Sequence, residues 1–278
     1  MFGSAPLKRG TLNLATGRLA YAESAGVGPG VLLVHGNSGS GEVWAAQLDS
    51  ELGRRYRLVA LDLPSHGESA PLAASDDTLT EMAHAVAAAA LALGLAGGVV
   101  VGHSLGGHLL LEALGAGRLP DLRGAVIHGA PPLSGPADFP HAFHASPAAM
   151  SGFTAAPTEQ ALDALLDAWF AGRCPPVGIK RDFLRTHGPI RAQLGAALMS
   201  GRMLDERRVV AELKVPLALL NAGDDALINA AWLSALDAPT LWRGRVQVVA
   251  NAAHFIQCDQ PDAYNRVLGD FLADVFGA

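Results

Sequence analysis

The sequence is 278 residues long, with a formal net charge of −6, half of its residues apolar and 17% charged. That composition supplies a large buried core and excludes a disordered chain. With no Lys/Arg run longer than two residues, it also excludes the electrostatic footprint of a nucleic-acid or anionic-membrane binder.

Cys174 and Cys258 lie far apart and outside any C-x-x-C pattern, which argues for free thiols and against a disulfide framework or a thiolate metal site. No apolar stretch follows the basic residues near Met1, and no segment offers eighteen uninterrupted apolar residues, so the expectation is a cytoplasmic protein without a membrane span.

Two alternating segments, 11–15 and 18–23, joined by Thr16-Gly17, predict an antiparallel hairpin at a sheet edge. Apolar runs at 31–34, 57–61, 99–101 and 125–127 then read as buried strands, with helices near 43–53, 78–93 and 105–117 between them. This alternation is the sequence form of a largely parallel sheet covered on both faces. After Pro131-Pro132 the rhythm breaks. Residues 133–204 are first rich in Pro, Gly, His and Ser and then helix-like at 159–170 and 179–185, which predicts a helical cap, because a structureless insertion of that length is rare in a compact domain. Strands resume at 216–220 and 246–249, and 261–276 reads as a closing amphipathic helix. The expected organisation is an α/β core domain built from 1–132 and 205–278, with 133–204 as the cap.

Chemistry enters at Ser104, in Gly102-His103-Ser104-Leu105-Gly106, between the apolar run ending at Val101 and the helical pattern His108-Leu109-Leu110-Leu111. A serine at a sharp turn between strand and helix is exposed above the sheet, and glycines flank it because side chains there would collide with neighbouring backbone. A neutral serine still needs a base held by a buried acceptor. Of ten histidines, His254 in Asn251-Ala252-Ala253-His254-Phe255 follows the last strand and precedes the final helix, where a loop can hang an imidazole over the sheet. His35, His66, His103, His141, His144 and His187 read as structural, surface or pocket-lining residues. The acid is expected on the loop after the strand at 217–220, where Asp224 and Asp225 compete. The oxyanion needs two donors. The Leu105 N–H is one, and the loop His35-Gly36-Asn37-Ser38-Gly39-Ser40-Gly41 supplies the other from Asn37 or, in the alternative register, Ser38. Asp62 is read as tying down its own loop. No H-x-H-x-D-H or H-E-x-x-H cluster occurs, which argues against a metal-dependent hydrolase.

These residues together resemble the α/β-hydrolase superfamily: His35-Gly36-Asn37, then Asp62-Leu63-Pro64-Ser65-His66-Gly67-Glu68-Ser69, then 102–106, Asp225 and His254. Ser65 stands where that family usually has glycine. The resemblance implies a mostly parallel eight-stranded sheet with helices on both faces, and it favours Asp225 over Asp224 because Ala226-Leu227-Ile228-Asn229 is similar to the stretch after the family's acid. A closer similarity is to the metal-independent N-acyl-homoserine lactonases, carried by 35–41, 47–69, Ser104-Leu105-Gly106-Gly107-His108 and Gly129-Ala130-Pro131-Pro132. It is thinner in the cap, and members of that group carry glutamate where this chain has Asp225. An aromatic cap residue reaches the substrate there, and Trp169 is the nearest counterpart.

The resemblance implies a serine hydrolase that needs no cofactor and no metal. It would cleave carboxylic esters through Ser104, His254 and Asp225, with Asn37 and Leu105 as oxyanion donors, and open N-acyl-homoserine lactones. A short-chain carboxylesterase, a thioesterase, a C–C bond hydrolase and a ligand-binding receptor are the alternatives. The expected partner is a small-molecule ester or lactone, with no nucleic acid and no membrane, in a monomer or homodimer.

Overall fold

Residues 7–277 are described by a computed structural model. The N-terminal hairpin pairs β1 (Lys8–Leu14) with β2 (Gly17–Glu23) antiparallel, from Lys8 opposite Glu23 to Leu14 opposite Gly17. β3 (Gly30–Val34), β4 (Arg57–Leu61), β5 (Val99–His103), β6 (Gly124–His128), β7 (Leu217–Ala222) and β8 (Gln247–Val249) complete an eight-stranded sheet in the order β1-β2-β4-β3-β5-β6-β7-β8. Only the β1/β2 and β2/β4 pairings are antiparallel; the other five are parallel.

Both faces of the central sheet are covered, which is why its strands read as continuous Val/Leu/Ile runs. Alternate residues enter opposite cores. Leu32, Val34, Val59, Leu61 and Val100 pack with the helices Thr78–Ala92 and Leu105–Gly115. Val31, Leu33, Leu58, Val99 and Val101 pack with Tyr264, Leu268 and Phe271 of the helix Pro261–Phe276.

The strand order also decides where a site forms. The chain leaves β3 for β4 on one side and reaches β5 on the other, so the loops after β3 and β5 diverge at neighbouring carboxyl ends and open a crevice there.

The helix expected at 43–53 is three short turns, Gly41–Trp44, Ala45–Leu48 and Glu51–Arg55. Ser50 breaks it, since its hydroxyl donates to the Gln47 carbonyl (2.7 Å) and accepts from the Leu52 amide (3.1 Å), ending one turn and capping the next. Between β6 and β7 the chain forms the expected helices Glu159–Phe170 and Val177–Arg185, together with four unforeseen α-helices, the one-turn Phe139–Ala142 and Pro147–Met150 and the longer Gly188–Met199 and Glu206–Glu212.

Both ends of residues 133–204, the segment expected as a cap, meet at the helix after β5. The buried Glu206 carboxylate lies 2.9 Å from His108 Nδ1 and accepts the Leu133 amide (3.0 Å), while Glu112 accepts the Leu204 amide (2.6 Å). Burial works against a charged His108, but the adjacent Glu206 outweighs it and raises the imidazole above its ordinary value. Burial pushes Glu112 up to about 7. Among the described residues no helix is long and apolar enough to cross a membrane.

Candidate active site

Ser104 follows β5 and caps the start of the helix Leu105–Gly115 with φ 51° and ψ −121°, a conformation costly for a residue with a side chain. Its amide is anchored to the His128 carbonyl of β6 at 2.8 Å. The flanking glycines are required by close approach. A Cβ at Gly102 would stand 2.5 Å from the Gly106 carbonyl oxygen, and one at Gly106 would stand 2.5 Å from the Val34 carbonyl oxygen of β3. Strand and helix therefore cross in contact, and Ser104 is the one partly exposed residue between Val99 and Ala113.

The loop after β3 folds back over this serine. A Cβ at Gly36 would lie 3.0 Å from Ser104 Cβ, which brings the Asn37 segment beside the helix turn that Ser104 opens. Ser38 takes a left-handed φ of 59°, and its hydroxyl donates to the Asn37 side-chain oxygen at 3.1 Å. The Asn37 side-chain amide donates across to the Gly152 carbonyl of the cap at 2.7 Å. The loop is set from below by Asp62, whose carboxylate accepts the Gly41 amide (2.7 Å) and the Glu68 amide (2.8 Å) and so ties the loops after β3 and β4 together. Ser65, in the usual glycine position, has φ 67°, so the serine accepts the strain that glycine would avoid. Its hydroxyl accepts the Leu72 amide in return (2.8 Å).

His254 Nδ1 sits 2.9 Å from Asp225 Oδ2, while Asp225 Oδ1 accepts the Leu227 amide (2.8 Å). Burial alone would raise the Asp225 carboxyl. The His254 charge and hydrogen bond and the Leu227 and Ile228 amides outweigh burial and hold it below its ordinary value. The neighbouring Asp224 turns away and pairs with Arg173. A Cβ at Gly129, just past β6, would stand 2.8 Å from His254 Cε1, so this position leaves room for the imidazole over the strand ends. Elbow, glycine-rich loop, Asp225 and His254 thus come together from the ends of β3, β5, β7 and β8.

Trp169 is buried in the cap, with ring centroids 5.3 Å from Phe255 and 6.2 Å from Phe183, and its carbonyl accepts the His254 amide at 3.1 Å. Its main chain therefore touches the histidine loop directly.

Several buried side chains that spacing did not single out shape the site. Ser40 hydrogen-bonds to Asp182 of the cap, which also binds Arg181 at 3.0 Å. His35 donates Nδ1–H to the Gly36 carbonyl (2.7 Å) and accepts the Leu63 amide (3.0 Å), and burial lowers it to about 4. His66 and His128 are pushed down to about 3, mainly by burial. Partners of this kind lie as far as 142 residues apart, so no local pattern announces them. Among the described residues no group of three or more His, Cys, Asp or Glu side chains is arranged to hold a metal.

A family model described as the alpha/beta hydrolase family matches residues 31–267. The chain belongs to that family, and it is a hydrolase. Among solved structures, N-acyl homoserine lactonase AidH with N-hexanoyl homoserine lactone superimposes at a TM-score of 0.91 with 30% identity, covering 96% of this chain and 98% of that one. AidH with N-butanoyl homoserine gives the same score and identity over 96% and 97%. The stretch left uncovered is far shorter than residues 133–204, so the structural likeness extends into the cap, where the sequence resemblance is thin. Among curated proteins, the dihydrolipoyllysine-residue acetyltransferase component of the acetoin cleaving system of Cupriavidus necator is 31% identical over 263 residues, 92% of this chain. This chain spans only 66% of that relative's length.

Proposed function

We propose that this alpha/beta hydrolase is a serine hydrolase that opens N-acyl-homoserine lactones, and so degrades quorum signals, by way of an acyl-enzyme. The observation that carries the reading is the Asp225–His254 pair at 2.9 Å beside a strained Ser104. It is supported by a fold shared through the cap with a lactonase whose structures hold the lactone and the opened product class.

Ser104 Oγ attacks the lactone carbonyl carbon while His254 Nε2 takes its proton. Asp225 accepts the Nδ1–H, fixing the tautomer and stabilising the imidazolium. The tetrahedral oxyanion faces the Leu105 and Asn37 amides, each such donor contributing about 3 kcal/mol or more in the transition state. Leu105 adds the positive end of its helix. The ring C–O bond then breaks, and the departing alkoxide oxygen takes the proton from His254. That hydroxyl stays tethered to the acyl group on Ser104. His254 next deprotonates a water that attacks the acyl-enzyme carbonyl; the bond to Ser104 Oγ then breaks, Oγ takes the proton back from His254, and the open-chain N-acyl-homoserine leaves. The acylating nucleophile, the base and the oxyanion donors in these steps are supplied by the chain itself, and the second nucleophile is water. Trp169 and the Gly152 turn, which lies against Asn37, form the cap side of the acyl site.

Acid release from N-hexanoyl homoserine lactone, followed by pH-stat against a Ser104→Ala control, tests the reading. No turnover above the control, with hydrolysis of p-nitrophenyl butyrate retained, would replace the lactonase by a general carboxylesterase. Stoichiometric labelling of Ser104 by a fluorophosphonate, lost in His254→Ala, would favour the enzyme, whereas lactone binding without turnover of either substrate would leave a ligand-binding receptor.

A further inference from the structure

His254 lies on an irregular loop between β8 and the last helices, so nothing in the secondary structure orients it. Its own main-chain groups do. The His254 amide donates to the Trp169 carbonyl of the cap at 3.1 Å, and the His254 carbonyl lies 3.1 Å from Nε2 of His103. A carbonyl only accepts, so His103 carries its proton on Nε2 and donates it.

The His103 ring is fully buried at the end of β5, one residue before Ser104, with its centroid 5.0 Å from His254, 4.8 Å from His128 in a stacked arrangement and 4.5 Å from Phe255. Packed on these three sides, the ring cannot pivot away from the carbonyl it holds. The strand that delivers the nucleophile therefore also holds the base.

We propose that His103 is a positioning residue for hydrolysis: its Nε2–H fixes the His254 carbonyl to the nucleophile strand while the Trp169 carbonyl fixes the His254 amide to the cap, setting the imidazole against Ser104. The proposal rests on the reading of Ser104 and His254 as nucleophile and base. A misplaced imidazole still permits substrate to bind and weakens only the proton transfers, so the effect falls on kcat. Burial, with His128 and His254 as neighbours, keeps the His103 ring well below its ordinary range, consistent with a neutral donor.

The test compares His103→Leu, which fills the space without a donor, with His103→Gln, whose side-chain amide reaches the former Nε2 position, on p-nitrophenyl butyrate. His254→Ala is the control for the underlying reading. Expected are a kcat loss of about 10- to 100-fold in His103→Leu with KM within about threefold, and recovery of most of that loss in His103→Gln. An unchanged kcat in His103→Leu, or an equal loss in both variants, overturns the proposal. Retained activity in His254→Ala overturns the base assignment instead, so the two failures are distinguishable. Should His103→Leu not fold, as judged by circular dichroism, nitrogen-15 NMR of histidine-labelled wild-type enzyme decides. An Nε2–H proton on His103 protected from exchange supports the proposal, and an Nδ1–H tautomer or an exchanging proton overturns it.

Discussion

The sheet end that carries Ser104 and the cap above it are built by different means. At the sheet end, backbone meets backbone: β5 crosses its helix through Gly102 and Gly106, and the Ser104 amide is held by β6. In the cap, side chains reach main-chain carbonyls. Arg191 donates to the Thr154 (2.9 Å), Ala155 (2.6 Å) and Phe183 (3.1 Å) carbonyls and lies 4.4 Å from the Phe183 ring centroid. The backbone solution tolerates little change because it admits no extra atom. The side-chain solution depends on a few polar residues and leaves the rest free to vary, so residues 133–204 can change without disturbing the Ser104 turn.

The largest expected effect isolates the chemistry of the sheet end from its stability. Ser104→Ala lowers ester hydrolysis by about a thousandfold or more and leaves the urea unfolding midpoint in place. A surviving rate would move the nucleophile elsewhere and dissolve the contrast.

Acid pH comes next, because the fully buried depressed histidines His35, His66, His103 and His128 all belong to the core side. Their folded values lie below 6.5, so the unfolded chain binds more protons and stability falls as pH drops below that value. Each contributes up to about 1.4 kcal/mol per pH unit. Glu112, raised from 4.5 to about 7, acts in the opposite direction between those values and offsets about one of the four, and His108, raised above 6.5, adds to that offset above 6.5. Asp225, held below 3.8, adds a loss of its own only as pH falls beneath that value. Urea denaturation between pH 7 and pH 5 reads the slope, and a flat profile would mean that these rings are hydrated.

Two glycines sharpen the comparison further. Gly106→Ala puts a methyl 2.5 Å from the Val34 carbonyl oxygen and is expected to cost about 3 kcal/mol. Gly135→Ala, in open space in the cap, is expected to stay within about 0.5 kcal/mol. Similar unfolding free energies for the two would contradict the close-contact account.

Arg191→Leu leaves cap carbonyls without donors, for an expected loss of about 2 to 3 kcal/mol. Limited proteolysis should then cut within 133–204 before the core, and cleavage in the core first would show that the cap does not rest on this residue. The smallest effect is reserved for the junction of the two regions. Asn37→Ala keeps the main-chain amide but removes the bond to the Gly152 carbonyl, about 1 kcal/mol, and should raise KM for N-hexanoyl homoserine lactone by less than about tenfold. A kcat collapse comparable to Ser104→Ala would show that the Asn37 side chain itself binds the reacting group.

Much of the core was legible along the chain. Strands buried on both faces have little choice but continuous Val, Leu and Ile, and 31–34, 57–61 and 125–127 carried that mark. Gly102 and Gly106 announced a close crossing because only glycine leaves room for it. The hairpin at Thr16-Gly17 was equally plain, although β1 begins at Lys8 rather than Thr11. The helix Gly188–Met199 was not legible. It opens with Gly188-Pro189, and what it packs against is distant along the chain: the helix Thr78–Ala92 and the turn where Phe153 lies beside Gly195.

Composition and local pattern alone determined the class of fold, the strained serine turn and the loops on which a base and an acid could sit, since these depend on residues close together in the chain. Tertiary structure decided what distance along the chain conceals: that β3 lies between β4 and β5, that Asp225 rather than Asp224 faces His254, and that His108 and Glu206 join the cap stems. Such pairings follow from long-range packing, whose partners carry no mark of one another until the chain closes around them.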